Sequence, residues 1–311
     1  MEFFKKKTSI PFMATRRWSY TVSGILIVGS ILLLAVRGLN LGIDFTGGVV
    51  LELSFPEAAE IDRVRSALEG AGFGDASVQS FGTAHDVLVR LMPEEGKDVN
   101  QVSNDVLAAI RSYAAGVELR RADVVGAQVG RELAEKGALA AIFTFLMILI
   151  YVGMRFQWKL GLGSVIAAMH DPVVVLGFFA ATQMTFDLPT LAAILAVVGY
   201  SLNDTVVVFD RIRERFTLSR REPPMKIIDM AVNETLSRTM MTSVTTMIAV
   251  ISLLIFAGDV LRGFATALAI GVVVGTYSSI YVASAVALDL KLTARDLMPA
   301  QREKGDVDAL P

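Results

Sequence analysis

The chain has 311 residues, of which 53% are hydrophobic and only 19% are charged, and its formal net charge is −2. Soluble domains usually carry about 25% charged residues, so this composition favours a protein that has lipid as its solvent. The absence of cysteine excludes disulfides and cysteine-ligated metal centres, and the small net charge gives no general attraction to nucleic acid.

Six apolar runs predict six transmembrane helices. Each can supply the ~20 residues that cross a hydrocarbon core of ~30 Å, and such segments must be helical because lipid offers their backbone no hydrogen bonds. We place the runs at 19–37, 137–154, 160–181, 188–209, 239–257 and 263–288.

The first run follows a basic N-terminus, so a cleaved signal peptide is the alternative interpretation. It ends at Arg37 without a small-residue cleavage site, which favours an uncleaved anchor.

Lysine and arginine predict the orientation of the helices. They are frequent in residues 1–18, in the loop 210–238 and in the tail 289–311, but the short loops on the opposite side hold only Arg262. The positive-inside rule therefore predicts that both termini are cytoplasmic. Residues 38–136 are then an extracytoplasmic domain.

The extracytoplasmic segment has the pattern of a small α+β domain. Alternating apolar residues predict strands at 49–55, 76–81, 86–91 and 117–125, and helical spacing predicts helices at 58–69 and 99–114. The order β-α-β-β-α-β is that of the ferredoxin-like split βαβ fold. The predicted fold class is an α-helical membrane protein with six transmembrane helices plus a small α+β ferredoxin-like (βαββαβ) extracytoplasmic domain.

The sequence contains no motif that indicates an enzymatic activity. There is no phosphate-binding glycine loop in a strand–helix context and no pattern of a nucleophile with its base. A zinc site would have to be built from two histidines and carboxylates alone. We therefore expect a non-enzymatic protein without cofactor or metal.

Ionisable groups inside the apolar runs are the strongest functional signal. Asp204 lies in the fourth run and Arg238 precedes the fifth. A charge at the centre of a membrane helix costs about 2.5–3.5 kcal/mol. Burial favours a neutral carboxyl and a nearby guanidinium favours the carboxylate, so this pair predicts a site that takes up and releases a proton. The alternatives are a carboxylate that only locks helix packing and an arginine that extends to the headgroups.

His170 and Asp171 lie near the middle of the third run and are secondary candidates for a proton pathway. Pro172 follows them and removes one backbone donor, which can bend the helix.

Small residues recur every four positions in the sixth run. This spacing lets two helices approach closely, so it predicts a packing face. Its members are Gly263, Ala267, Gly271, Gly275 and Ser279.

Four segments carry a resemblance to a known family. They are residues 42–48 (Gly-Ile-Asp-Phe-Thr-Gly-Gly), His170-Asp171, residues 199–214 and residues 235–243. With them the chain resembles the SecD/SecF family of bacterial protein-export membrane proteins, of the resistance–nodulation–division superfamily. Pro172 departs from the aliphatic residue that the family pattern suggests.

The resemblance implies an accessory subunit of the Sec translocase that works with SecD in the inner membrane and uses the proton-motive force to assist export. Its partners would be SecD, the SecYEG translocon, unfolded exported polypeptides and protons, with no nucleic acid. Asp204 and Arg238 would serve proton passage. Gly42, Asp44, Phe45, Gly47 and Gly48 would form a structural motif between the first helix and the first strand.

Two other functions remain open at this point. One is a half-unit of a proton-driven small-molecule exporter of the same superfamily. The other is an anchor that only scaffolds other subunits, which would leave the intramembrane carboxylates unexplained.

The orientation can be tested by labelling. Cysteines introduced at Glu95 and Thr185 should react with an impermeant thiol reagent added outside the cell, because both positions lie in extracytoplasmic segments of the predicted topology. Cysteines at Ser219 and Lys304 should not react until the membrane is opened. External labelling of Ser219 would contradict the orientation.

Overall fold

The computed structural model describes residues 8–91, 99–219, 221–258 and 261–297. After a short 3₁₀ turn at Phe12–Thr15, the first elements are α1 (Arg16–Arg37), α2 (Ile43–Thr46), β1 (Gly48–Ser54), α3 (Ile61–Gly70), β2 (Ser77–Phe81), β3 (Thr83–Leu91), α4 (Val99–Tyr113) and β4 (Glu118–Val125). They are followed by α5 (Ala127–Arg155), α6 (Trp158–Thr182), α7 (Leu188–Leu218), α8 (Pro224–Phe256), α9 (Arg262–Tyr277), a π-helix (Ser278–Ala283), α10 (Ser284–Asp289) and α11 (Ala294–Leu297).

Six of the described helical segments are long and apolar enough to cross a membrane, which confirms the predicted number. The sixth is α9 with the π-helix and α10, a continuous segment Arg262–Asp289. Side chains on α1 and α5 are largely exposed in the single chain, whereas about half of the residues in the spans of α6, α7 and the sixth segment are buried. The last three therefore form the centre of the membrane part.

The segment 210–238, expected as a loop, is mostly helical. α7 continues to Leu218 and α8 already begins at Pro224. The sequence pattern stops at the last apolar residue, but a helix needs no apolar side chains where its charges are paired. Here Glu234 of α8 forms ion pairs with both Arg211 and Arg215 of α7. Arg238 consequently lies well inside α8.

The four predicted strands form one antiparallel sheet in the order β2-β3-β1-β4. α3 and α4 cover one face of this sheet. The core beneath them contains Leu51, Leu53, Val64, Leu68, Val87, Val89, Val106 and Ile110. The opposite face carries Glu52, Leu88 and Arg90 and is separated from the adjoining ends of the membrane helices by a cavity of about 700 Å³.

The small residues of the sixth segment pack against α7. A Cβ atom at Gly271 would lie 2.2 Å from a methyl carbon of Val197, and one at Gly275 would lie 2.9 Å from the Cβ of Ser201. One at Gly263 would lie 2.5 Å from the Thr190 hydroxyl. At these positions the two helices are close enough to exclude any side chain.

Gly271→Leu should therefore force α9 away from α7. We expect a loss of about 1–3 kcal/mol or more, as for other insertions into a packed core. Val273→Leu is the matched control, because Val273 is 60% exposed on the same helix. Thermal unfolding of the purified protein in detergent measures both variants, and equal midpoints would contradict the close contact.

Candidate functional site

Asp171 is the centre of a buried polar cluster between α6 and the sixth segment. Its side chain is fully buried, with 0% exposure. The Ser278 hydroxyl donates to carboxyl Oδ2 at 2.9 Å, and Oδ1 lies 2.9 Å from Nδ1 of His170. The imidazole can donate this bond when Nδ1 carries its proton. Each oxygen of a carboxyl in mid-membrane thus has a hydrogen-bonding partner.

The π-helix lies beside this cluster and directs the Ser279 hydroxyl toward α7. Ser279 donates to the backbone carbonyl of Ser201 at 3.1 Å, and its hydroxyl lies 2.8 Å from that of Thr205. π-Helical turns are rare and occur frequently at functional sites. The hydrogen bonds join three helices in the middle of the membrane part.

Gly275 lies between the Asp171 cluster and α7. A Cβ at this position would be 3.4 Å from Asp171 Oδ2 and 3.2 Å from the Ser201 hydroxyl. The missing side chain therefore keeps a small space open between a carboxyl and a hydroxyl on different helices.

Asp204 lies one turn further along α7, with its carboxyl directed toward α8. It is only 2% exposed. The Thr242 side chain is within hydrogen-bonding reach, and Arg238 is close enough to act on the carboxyl electrostatically. The Thr242 hydroxyl also lies 2.9 Å from the Thr239 carbonyl and 3.2 Å from the Arg238 carbonyl, and its single proton can serve only one of these acceptors at a time.

The Asp204 carboxyl is only partly satisfied. Its Oδ2 has no hydrogen-bond partner among the described residues, and it forms no direct ion pair with Arg238 there. Within the same part of the chain, the Nε2 of His170 and the hydroxyls of Ser201 and Thr239 also lack partners. A buried polar group without a partner costs about 1–3 kcal/mol, which makes these four atoms candidates for a functional role.

Arg238 and Asn203 are exposed on the surface of the single chain although they belong to membrane-spanning helices. Gly199, one turn before Asn203, is exposed on the same helix, and a Cβ there would touch nothing within 4 Å. This surface is polar and open at the depth of Asp204.

The motif at residues 42–48 lies at the N-terminal end of α7. The Asp44 carboxylate accepts a hydrogen bond from the Leu188 backbone N–H at 2.9 Å. Gly47 and Gly48 have φ values of 72° and 128°, which favour glycine, and a Cβ on Gly48 would lie 2.5 Å from the Leu91 carbonyl oxygen. Phe45 stacks on Phe186 with ring centroids 5.9 Å apart.

The sequence-derived candidates thus divide into three places. Asp204 and Arg238 face each other between α7 and α8, His170 and Asp171 lie on the far side of α7, toward the sixth segment, and the motif at residues 42–48 lies at the N-terminal end of α7. The sequence pattern did not predict the role of Ser278. Its only signal in the sequence is the polar stretch of residues 276–279 within the sixth apolar run.

No group of three or more histidine, aspartate or glutamate side chains that could hold a metal occurs in the described part of the chain.

Comparison with known proteins gives a consistent result along the whole chain. The family model "Protein export membrane protein SecD/SecF, C-terminal" matches residues 105–293, and the model "SecD/SecF GG Motif" matches residues 32–55. The chain is 46% identical over 313 residues to protein translocase subunit SecF of Vibrio alginolyticus, which covers 100% of this chain and 99% of the relative. It is 43% identical over 299 residues to the same subunit of Escherichia coli O157:H7, covering 96% and 93%.

A solved structure is also similar. The crystal structure of SecDF, a translocon-associated membrane protein from Thermus thermophilus, is 35% identical with a TM-score of 0.83 and covers 94% of this chain. This chain spans 40% of the length of that solved chain.

The Asp171 cluster can be tested by removing one hydroxyl. Ser278→Ala leaves Asp171 Oδ2 without its partner, which should cost about 1–3 kcal/mol of stability. Ser284→Ala is the matched control, because Ser284 is equally buried but donates only to a backbone carbonyl, at 3.3 Å. Denaturant unfolding in detergent measures the stability of both variants. An equal loss of stability in the two would contradict the hydrogen bond between Ser278 and Asp171.

Proposed function

The chain belongs to the SecD/SecF family of protein-export membrane proteins, and on that premise we propose that it couples inward proton movement to polypeptide export. It is a transport component of the Sec translocase in the bacterial inner membrane, with both termini in the cytoplasm and SecD as its partner. The observation that carries the proposal is the buried, partly satisfied carboxyl of Asp204 opposite the guanidinium of Arg238.

The geometry of this pair supports a change of protonation. Burial favours the neutral carboxyl, while the charge of Arg238 favours the carboxylate. Because the two groups are near one another but not in direct contact, a small movement of α8 against α7 changes which form is preferred. One charge that crosses the membrane potential yields about 2.3 kcal/mol per 100 mV, a free energy comparable to that of one partly buried ion pair.

Asp171 is the second proton-binding residue of the proposed pathway. With a rise of about 1.5 Å per residue, it lies about 17 Å from the outer end of α6, and Asp204 lies about 24 Å from the outer end of α7. A proton coming from outside therefore reaches the depth of Asp171 first. The Ser278 hydroxyl, the space at Gly275 and the Ser201 hydroxyl lie between the two carboxyls and can carry the proton across α9.

The exposed polar surface on α7 and α8 supports a membrane partner. An arginine and an asparagine that faced lipid would cost several kcal/mol, and small residues such as Gly199 allow another helix to approach closely. A partner helix with its own polar groups would cover Asn203 and Arg238. A SecD chain fits this requirement, since the similar solved SecDF chain is more than twice as long as this one.

Polypeptide export is preferred to small-molecule export. Relatives that match nearly the whole chain are named protein translocase subunits. The described outer domain is a single four-stranded sheet with two helices.

The test replaces Asp204 by asparagine, which keeps the shape but cannot release a proton. We expect Asp204→Asn to abolish the stimulation of export by a proton gradient while assembly stays normal. Arg238→Lys should lose most of this stimulation, because an ammonium cannot form the planar two-bond contact with the Asp204 carboxylate when α8 moves toward α7. Export of a secretory polypeptide into inverted membrane vesicles, with and without a gradient, measures both.

Asp210→Asn is the control on the same helix. Asp210 pairs with Arg155, and its side chain is 39% exposed, so this variant should behave as the unmodified chain. If Asp204→Asn retained full gradient-dependent stimulation, Asp204 would be structural and the proposal would be wrong.

A further inference from the structure

The backbone between α1 and β1 is bonded directly to the residues that precede α7. The Gly42 N–H donates to the Phe186 carbonyl at 2.8 Å, and the Phe186 N–H donates to the Asn40 carbonyl at 2.8 Å. The two strands of chain form a parallel bridge between Leu41 and Phe186. The outer loop before α7 therefore moves together with the chain that leads into the outer domain.

Asp44 extends this connection to α7 itself. The first N–H groups of a helix have no partner within the helix. The N–H of Thr190 is bonded by Asp187, the N-cap residue, at 2.8 Å, but the N–H of Leu188 is bonded by Asp44 from the outer segment at 2.9 Å. One cap of the helix that carries Asp204 thus comes from a distant part of the sequence.

Arg90 adds a third connection, from the sheet. It lies on β3 and donates to the Asn40 side chain at 3.1 Å, the Leu41 carbonyl at 3.0 Å and the Thr185 hydroxyl at 3.1 Å. Burial of the guanidinium lowers the pKa of Arg90, and the charge of Asp187 opposes this shift. The side chain bridges the sheet and both loops at the outer ends of the membrane helices.

The segment 42–48 connects these contacts to the central strands of the sheet. The segment 42–48 continues without a linker into β1, which pairs with both β3 and β4. α5 packs against its turn so closely that a Cβ at Gly130 would lie 2.7 Å from the Gly47 backbone nitrogen. With so little free space, a shift of the outer end of α7 displaces the sheet as a body.

We propose that Asp44, Arg90 and the backbone bridge at Leu41 and Phe186 are a mechanical link that transmits movement of α7 to the outer domain. Asp44 and Arg90 are positioning residues in this inference, which rests on the proposed proton-coupled function. The cavity of about 700 Å³ is lined by the sheet face and by the loops that the link joins, so movement through the link changes its width. The link converts proton uptake in mid-membrane into displacement on the outer side.

The experiment separates proton movement from export. Asp44→Ala and Arg90→Ala are each expressed in the full chain, and inverted membrane vesicles are assayed for proton flux with a pH-sensitive dye and for gradient-dependent export. We expect both variants to conduct protons at least as fast as the unmodified chain while they lose most of the stimulation of export. Asp44→Asn should export normally, because the amide oxygen can still accept the Leu188 bond.

The matched controls are Asp123→Ala and Arg121→Ala. These residues line the same cavity but pair with each other within the outer domain, with a distance of 2.8 Å. They should leave flux and export unchanged, and resistance to trypsin with retention in the complex shows that each variant is folded.

Three results decide the matter. Full export stimulation in both link variants would overturn the link, and so would parallel loss of proton flux and export, because the residues would then act on the proton site. The proposed proton-coupled function is tested separately. If proton flux were unchanged in Asp204→Asn vesicles, that function would be wrong, and the link would have no proton-driven movement to transmit even if the link variants lost export.

Discussion

Burying carboxyl groups in the middle of a membrane is the constraint on which the rest of this structure depends. Asp171 and Asp204 can be held there only if other groups reach them, since lipid supplies no hydrogen bonds. The small residues Gly271 and Gly275 bring α9 against α7, and this close approach lets the serines of the sixth segment reach both neighbouring helices. The tight helix packing and the hydrogen bonds to the buried polar groups therefore both result from the close approach of α9 to α7.

The two carboxyls differ in how completely they are hydrogen-bonded. Asp171 has a partner for each oxygen, whereas Asp204 has an unpartnered oxygen and faces Arg238 without touching it. A carboxyl whose hydrogen bonds are all made keeps one protonation state. A carboxyl with an unpartnered oxygen can change its protonation state with little movement of the surrounding helices. Because Asp44 caps one of the first N–H groups of α7, the same helix connects Asp204 to the segment that leads into the α+β domain.

The fold could be predicted from the sequence because hydropathy reports membrane spans and alternation reports strands. Asp204 and Arg238 were found because charge in an apolar run is costly and therefore visible. Other features were not visible. The helical ends around residues 210–238 depend on ion pairs between helices, such as that of Arg215 with Glu234. The π-helix and the Asp44 cap depend on which residues meet in three dimensions, and sequence spacing carries no record of that.

The central claim is that Asp204 takes up and releases a proton within the folded membrane protein. Infrared difference spectroscopy of the protein in membranes, recorded as the pH is lowered, measures this directly through the carbonyl stretch of a protonated carboxyl. We expect a band from a buried carboxyl that is present in the unmodified chain and missing from Asp204→Asn. Identical spectra for the two proteins would contradict it.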